Sequence, residues 1–243
     1  QLIPNMGLEV AVFYKDIYDL LTIIPVTTYN QVRYGLYSNK DYGNVRGLEL
    51  KWDYNIAGFN AGLNYTLQYT KGIADDPYTN FNRAGQQLDQ FSVMIPLSWD
   101  QRHTLNFSAG YSTNKFGVSV TAYYNSGFPY TWEPLAETRL SEINLYPNNA
   151  PMPSTFSVDL RANYNVWSYK NMDLRVNLLI YNLFDALNEY SVYSSTGRAY
   201  TDIVRESDLT EHHSDFNTYY DRIENPAMYS TPRRVKLGLQ FAF

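Results

Sequence analysis

Residues 231–243 read Thr-Pro-Arg-Arg-Val-Lys-Leu-Gly-Leu-Gln-Phe-Ala-Phe. From Val235 onward the odd positions are all apolar, whereas the even positions hold Lys, Gly, Gln and Ala. This period of two predicts a β-strand with two unlike faces, because successive side chains point to opposite sides of a strand. A tilted strand of about nine to eleven residues can cross the hydrocarbon layer of a membrane. The stretch therefore predicts a membrane-spanning strand, with a strand of a soluble sandwich as the alternative.

The composition agrees with a spanning barrel. The 243 residues include 24 Tyr, 12 Phe and 4 Trp but no Cys, and Tyr and Trp collect at both membrane interfaces of such barrels. No apolar run of about eighteen residues exists, which excludes a helical membrane protein. A net charge of -5 argues against a nucleic-acid binder, and the lack of Cys excludes disulfides and thiolate metal sites.

The same alternation recurs along the chain and predicts about eight strands. Short turns, at 57–58, 113–115 and 168–171, alternate with long polar segments. In outer-membrane barrels the short turns face the periplasm and the long loops face outward, whereas soluble sandwiches show no such parity. We therefore predict an all-β, antiparallel transmembrane β-barrel, with residues 72–100, 127–153 and 186–230 outside the cell. The predicted strands are 8–21, 34–56, 59–70, 105–112, 116–125, 156–166, 174–180 and 235–243.

Charged residues near the middle of the strands fall on the polar side of the alternation. A basic residue at the bilayer midplane costs about 2–4 kcal/mol on the lipid face of a barrel, so this placement supports a barrel whose polar face lines the lumen. The predicted lumen-facing charges are Glu49, Lys51, Asp53, Asp159, Arg161, Arg175 and Lys236.

Six motifs, in order along nearly the whole chain, carry a family resemblance. They resemble the carboxy-terminal part of the β-barrel of TonB-dependent outer-membrane receptors, and most closely the subgroup with a carboxypeptidase-regulatory-like amino-terminal domain. The motifs are Asn-Val-Arg-Gly-Leu-Glu-Leu at 44–50, Trp-Asp-Gln-Arg-His-Thr-Leu-Asn at 99–106, Ser-Gly-Phe-Pro-Tyr-Thr at 126–131, Tyr-Asn-Leu-Phe-Asp at 181–185, Tyr-Ser-Ser-Thr-Gly-Arg at 193–198 and Pro-Arg-Arg-Val-Lys-Leu-Gly at 232–238.

The resemblance implies the last third of a 22-stranded barrel that a plug domain fills. Such a receptor imports a scarce nutrient across the bacterial outer membrane. We expect residues 1–243 to form one domain that lacks the plug and a signal peptide. The implied partners are outer-membrane lipid, the rest of the barrel and its plug, the TonB protein acting through the missing amino-terminal part, and the barrel-assembly machinery. The implied assembly signal is Leu237, Leu239, Phe241 and Phe243.

Aromatic residues in the long loops are candidates for ligand contact. A flat ring could stack on a small molecule, a sugar or a peptide, because it offers contact area with little ordering cost. Packing of one loop on another would use the same residues, and the sequence favours neither role. The candidates are Tyr130, Trp132, Tyr193, Tyr219 and Tyr220.

Residues with chemical reactivity are few. His212 and His213 are weak metal-ligand candidates beside Glu211 and Asp215, but adjacent His side chains seldom reach one ion. His103, the third His, completes no catalytic triad. We therefore predict no enzyme and no cofactor. Two alternatives stay open: a self-contained eight-stranded barrel that acts as an anchor or adhesin, and an outer-membrane enzyme.

Overall fold

The computed structural model describes residues 3–86, 93–133, 146–170, 172–212 and 218–242. Within these ranges the chain forms eight long antiparallel strands and three two-residue strands. The strands are β1 (Met6–Thr27), β2 (Arg33–Ile56), β3 (Phe59–Gly72), β4 (Ile95–Pro96), β5 (His103–Ser112), β6 (Phe116–Asn125), β7 (Pro129–Tyr130), β8 (Ala150–Pro151), β9 (Thr155–Tyr169), β10 (Met172–Tyr181) and β11 (Arg234–Ala242).

The long strands lie in one sheet in the order β1-β2-β3-β5-β6-β9-β10-β11, so each strand pairs with its neighbours in sequence. The short β4 pairs with β3, and β7 pairs with β8. The prediction of about eight antiparallel strands is confirmed. β1 and β11 lie at opposite edges, and the described strands form an open wall. A closed eight-stranded barrel is not the arrangement that these residues adopt.

The register of the strands gives the sheet one apolar face and one polar face. Leu63 of β3 stands opposite Trp52 of β2 and Phe107 of β5. The next residue, Asn64, points the other way and stands opposite Asn106. Because side chains of paired residues share a face, the alternation of each strand continues across the sheet. We call these two surfaces the apolar face and the polar face.

The apolar face is exposed rather than packed into a core. Val12 is 80% exposed, and Leu239 in the last strand is 74% exposed. A soluble sandwich would bury this face against a second sheet, whereas a barrel turns an apolar band toward lipid. The arrangement therefore favours the barrel wall over the sandwich.

Short helices occur only in the connections between long strands of the described chain. None of the described helices is long and apolar enough to cross a membrane. The sequence did not predict them, because helices of one or two turns are too short to show a helical period. They are α1 (Thr79–Gly85), α2 (Glu206–Glu211), α3 (Tyr219–Ile223) and a 3-10 turn (Pro226–Met228).

Two features of the strands differ from the prediction. The sequence predicts a loop at Pro25, but β1 continues through it to Thr27, and Pro25 stands opposite Gly35 of β2. In β9 the alternation was expected to include Val166. Instead, Trp167 stands opposite Leu174 and Asn165 opposite the next residue of β10, which leaves Val166 in a β-bulge. A bulge of this kind inserts one residue without a partner.

The two ends of the sheet are unlike. At one end, β2 and β3 are joined by Ala57 and Gly58, and β5 and β6 by residues 113–115, as predicted. The third turn lies between Tyr169 and Met172 and is tighter than the predicted 168–171. At the other end, three long connections join β3 to β5, β6 to β9 and β10 to β11, and residues 28–32 join β1 to β2. We call these the turn end and the loop end.

Candidate functional site

The polar face carries every charge that was predicted to face the lumen. Asp159 stands opposite Thr121, and Arg161 lies between Ser119 and Leu179. That this face lines a lumen stays a prediction; the register establishes that the charges share it. These charges are Glu49, Lys51, Asp53, Asp159, Arg161, Arg175 and Lys236.

A cavity of about 400 Å³ opens where the polar face meets the loop end. Its lining includes Tyr123, Asn125, Phe128, Glu189 and Tyr190. The hydroxyl oxygens of Tyr123 and Tyr190 lie 3.5 Å apart, which is long for a hydrogen bond between hydroxyls. The side-chain oxygen of Asn125 is buried and has no hydrogen-bond partner within the described chain. This mouth cavity therefore offers several polar atoms that could bond to a ligand.

A second cavity, of about 290 Å³, continues the first one down the polar face. The two cavities share Asn106 and Tyr123. Asn64, Ser157 and Asp159 also line the lower cavity. The two cavities together form a groove of amide, hydroxyl and carboxyl groups that leads from the loop end along the wall.

An ion pair borders the mouth cavity. Glu189 is 7% exposed, and its carboxylate accepts hydrogen bonds from Nη2 of Arg198 at 2.7 Å and from the backbone N–H of Ala199 at 2.6 Å. The hydrogen bonds that the Arg198 guanidinium donates to the Glu189 carboxylate raise the pKa of Arg198 above its ordinary value. The pair therefore presents little net charge to the cavity, and it closes the loop between its two residues.

A hydrogen-bonded contact joins the loop between β6 and β9 to the loop between β3 and β5. Nδ2 of Asn148 donates to the carboxylate of Asp75 at 3.2 Å and to the carbonyl oxygen of Pro96 at 2.9 Å. Asp75 also accepts the backbone N–H of Ser98 at 2.8 Å. One amide side chain thus holds two separate connections together.

The loop between β6 and β9 also contacts the loop between β10 and β11. The indole N–H of Trp132 donates to the carbonyl oxygen of Ser195 at 2.9 Å. Gly197 has a φ of 69°, and any side chain there would collide with the hydroxyl of Tyr130. Glycine is needed here both for its left-handed backbone and for the close approach of the ring. All three long connections are therefore linked to one another.

The predicted aromatic ligand contacts divide by their surroundings. Tyr130 and Trp132 contact the neighbouring loop as described, and the Tyr193 hydroxyl donates to the carbonyl oxygen of Ile223 at 2.9 Å. Burial raises the pKa of Tyr193. Tyr220 is 60% exposed. Tyr219 contacts His212, so four of the five candidates take part in loop packing, while ligand contact by any of them stays a prediction.

The weak metal candidates do not form a recognisable metal site within the described residues. The ring of His212 meets the ring of Tyr219 edge-on, with centroids 5.7 Å apart. His213 lies outside the described residues. No group of three or more potential metal-ligating side chains occurs in the described part of the chain.

The 99–106 motif contains a clamp whose geometry sequence reasoning missed. Asp100 is 2% exposed and accepts the backbone N–H of Thr70 and the Nε–H of Arg102, each at 2.7 Å. The Arg102 guanidinium lies 4.4 Å from the centroid of the Tyr69 ring. These contacts fix the entry into β5 against β3. The only signal in the sequence was the motif itself.

The predicted assembly signal lies partly in the described chain. Leu237, Leu239 and Phe241 lie on the apolar face opposite Leu178, Val176 and Leu174. Phe243 lies outside the described residues. Recognition of these side chains by the assembly machinery stays a prediction.

An open antiparallel wall with an exposed apolar face, a polar face and long connections at one end defines an outer-membrane β-barrel. A family model described as TonB dependent receptor-like, beta-barrel matches residues 4–183. The chain belongs to this family, and it is a protein of the bacterial outer membrane.

Solved structures support the fold. The chain is similar to the ferric-catecholate import receptor Fiu of E. coli, with 18% identity and a TM-score of 0.52 over 99% of this chain and 26% of that one. It is also similar to the FrpB iron transporter of Neisseria meningitidis, with 17% identity and a TM-score of 0.54 over 99% of this chain and 29% of that one. The chain is also similar to the outer membrane transporter YddB of Escherichia coli, with 13% identity and a TM-score of 0.54 over 78% of this chain and 28% of that one.

These identities establish similarity of fold alone. The chain spans less than a third of the length of each of these three proteins. A comparison with curated proteins found no match.

Proposed function

We propose that this chain forms part of the barrel wall and the outer loops of a receptor that imports a scarce ligand by a TonB-dependent mechanism. The wall corresponds to the last third of a 22-stranded barrel, and its polar face turns toward the lumen and a plug. The energy reaches the receptor from TonB through a part of the protein outside these 243 residues. The apolar face contacts outer-membrane lipid.

One observation carries the proposal beyond membership of the family. The long connections are linked to one another, and residues of all three line the mouth cavity, so the chain presents a pre-formed entrance rather than separate loops. Ligand sites are usually concave, largely pre-formed and furnished with a few convergent polar groups. The mouth cavity has this character, because polar Asn125, Tyr123 and Tyr190 and apolar Phe128 all line it.

The lining of the mouth cavity favours an uncharged ligand. Its acidic residue, Glu189, is already neutralised by Arg198. The remaining polar groups are amides and hydroxyls, such as Gln101, Asn106 and Asn125. A small molecule, sugar or peptide with hydroxyl or amide groups suits this lining better than an anionic metal chelate.

The contacts of the described His residues support a receptor rather than an enzyme. Nδ1 of His103 lies 2.8 Å from the Tyr65 hydroxyl, and the paired residue Leu67 places His103 on the apolar face. His212, in contrast, lies at the loop end beside Tyr219. An outer-membrane hydrolase would need acid and His side chains together at the outer rim.

Depletion of nutrients from a defined medium tests the proposal. Cells carry the complete natural polypeptide, a deletion of its gene, or the intact gene with a deletion of TonB. Mass spectrometry of the medium then follows mixed oligosaccharides, peptides and ferric chelates. We expect at least one compound to be taken up only by cells with both the gene and TonB. Identical depletion by the three strains would contradict the proposal.

Variants of the mouth cavity locate the ligand. Replacing Asn125 with Ala should slow uptake of the compound found above, because it removes an amide group from the lining of the mouth cavity. Replacing Ser112 with Ala at the turn end is the matched control and should leave uptake unchanged. Equal uptake by both variants would exclude the mouth cavity as the ligand site.

A further inference from the structure

The register of the last hairpin cannot come from its turn or from its hydrophobic pattern. β10 ends at Tyr181 and β11 begins at Arg234, so no tight turn joins them. A slip of one residue would exchange the two faces of β11, but a slip of two residues would keep every apolar side chain on the apolar face. Something else must therefore select one of the even registers.

The residues that follow β10 form a turn that is bonded to the neighbouring strand. Asn182 and Asp185 have φ angles of 53° and 55°, a left-handed conformation that Asn and Asp adopt more readily than most residues. The backbone N–H of Asn182 donates to the Asp159 carboxylate at 3.0 Å. Leu183 donates to the carbonyl oxygen of Val158 at 2.7 Å. The turn is thus fixed against β9 before the long loop begins.

The same turn bonds to the residues that lead into β11. Nδ2 of Asn182 donates to the carbonyl oxygen of Thr231 at 3.2 Å. Oδ1 of Asp185 accepts the backbone N–H of Arg233 at 2.7 Å. Both bonds are made to backbone atoms, so they specify a position along the chain rather than a type of side chain.

A second set of contacts continues this pairing into the loop. The backbone N–H of Ser230 donates to the carbonyl oxygen of Asn188 at 2.8 Å, and the backbone N–H of Asn188 donates to the Ser230 hydroxyl at 3.1 Å. The Asn188 side chain also bridges the backbone of Phe156 in β9, at 2.9 Å and 2.8 Å. The base of the loop is therefore bonded to β9 and to the approach of β11 together.

We infer that Asn182 and Asp185 form a clasp that sets the register of β11 against β10. The clasp replaces the tight turn that fixes register in an ordinary hairpin. It acts at the loop end, on the backbone at Thr231 and Arg233, and holds β11 in the single even register seen here. The inference is independent of which ligand, if any, the protein imports.

Cysteine pairs can report the register, because these 243 residues contain no Cys and any Cys elsewhere in the complete natural polypeptide can be replaced by Ser. Asn177 stands opposite Gly238, and a Cβ at Gly238 would lie 4.0 Å from the Cβ of Asn177. This separation suits a disulfide. Asn177→Cys with Gly238→Cys therefore reports the native register. Asn177→Cys with Gln240→Cys or with Lys236→Cys reports a slip of two residues in either direction.

The test measures disulfide formation in the complete natural polypeptide in outer membranes. With the native clasp, we expect the 177–238 pair to cross-link and the two slipped pairs to stay reduced. Asn182→Ala with Asp185→Ala should lower the ratio of the 177–238 cross-link to the slipped cross-links by about tenfold, as expected when a hydrogen bond to a charged group is lost, so a slipped pair should appear. A wild-type yield at 177–238 in this double variant would overturn the inference.

Two further variants separate register from general stability. Asp185→Asn keeps an oxygen that can accept the Arg233 N–H, so it should retain the native cross-link that Asp185→Ala loses. Asp221→Ala removes a similar bond to the backbone of Thr218, 2.9 Å long, in the same loop but away from β11, and should have no effect. If the double variant fails to reach the membrane, the single variants Asp185→Ala and Asp185→Asn are compared instead. Equal insertion and equal 177–238 cross-linking of these two variants would overturn the inference.

Discussion

The turn end and the loop end of the sheet differ in how adjacent strands are connected and held in position. At the turn end, adjacent strands are joined by a few residues whose own backbone angles reverse the chain; Ala57 and Gly58, with φ angles of 38° and 84°, form one such turn. At the loop end, three of the four connections are long: those from β3 to β5, from β6 to β9 and from β10 to β11. There the contacts come from distant side chains such as Asp100, Asn148 and Asn182.

This difference has a functional consequence. A tight turn tolerates few substitutions, because its residues must adopt particular backbone angles. Long connections tolerate variation as long as their anchors stay, and binding residues commonly lie on such connections above a rigid scaffold. The loop end is therefore where a receptor of this family could change its ligand without changing its wall.

The largest expected effect comes from a charge on the apolar face between the two ends. Leu63→Lys places an ammonium group in the middle of the apolar run of β3, and we expect it to lower the free energy of unfolding by about 2–4 kcal/mol. The measurement is a urea titration of the complete natural polypeptide in lipid vesicles. Asn64→Lys, the adjacent position on the polar face, is the control and should cost much less. Equal losses would mean that the apolar face does not contact lipid.

A smaller loss of stability is expected when the buried ion pair at the loop end is broken, and a still smaller loss when an exposed ion pair on the wall is broken. Arg198→Ala leaves the Glu189 carboxylate buried without its strongest partner, and we expect the loop to be destabilised by about 1–3 kcal/mol. Hydrogen exchange of residues 189–199 measures this loss. Lys51→Ala breaks a pair of 3.8 Å whose side chains are more than half exposed, and such pairs contribute about 0–1 kcal/mol. Similar effects of the two variants would contradict the anchoring role of Arg198.

The contrast between the ends also explains which features could be predicted. The strands and the two faces follow from a local period of two, so Leu63 and Asn64 could be assigned to opposite faces from sequence. The contact of Asn148 with Pro96 joins residues far apart in the chain, and no local pattern encodes it. Likewise, the alternation of β11 is unchanged by a two-residue slip, so its register could not be read from Leu237 and Leu239 alone.

The number of aromatic residues in the long loops does not predict which of them are packed and which are exposed. Tyr130 and Tyr220 looked equivalent in sequence as exposed-loop aromatics. In the structure the first packs against Gly197, whereas the second is 60% exposed. The difference depends on how two loops meet, which is a property of the assembled loop end.

The smallest expected effect concerns the cap of α3. Hydrogen bonds from the backbone and the hydroxyl of Thr218 lower the pKa of Asp221 below 3.8. Because the folded pKa is below the unfolded one, the cap should be fully stabilising above pH 3.8 and should weaken as the pH falls through the lower folded value. Protection factors of the amides of Tyr219–Ile223, measured across this range, should fall for the natural chain. Asp221→Asn keeps an acceptor without titrating and should show no such fall.

The orientation of the two ends is the central claim, and cysteine labelling in intact cells tests it most directly. Tyr220→Cys places a thiol at the loop end, and Asn114→Cys places one in the turn between β5 and β6. With a membrane-impermeant maleimide, we expect labelling of position 220 in intact cells and of position 114 only after the outer membrane is permeabilised. Labelling of position 114 in intact cells while position 220 stays protected would contradict it.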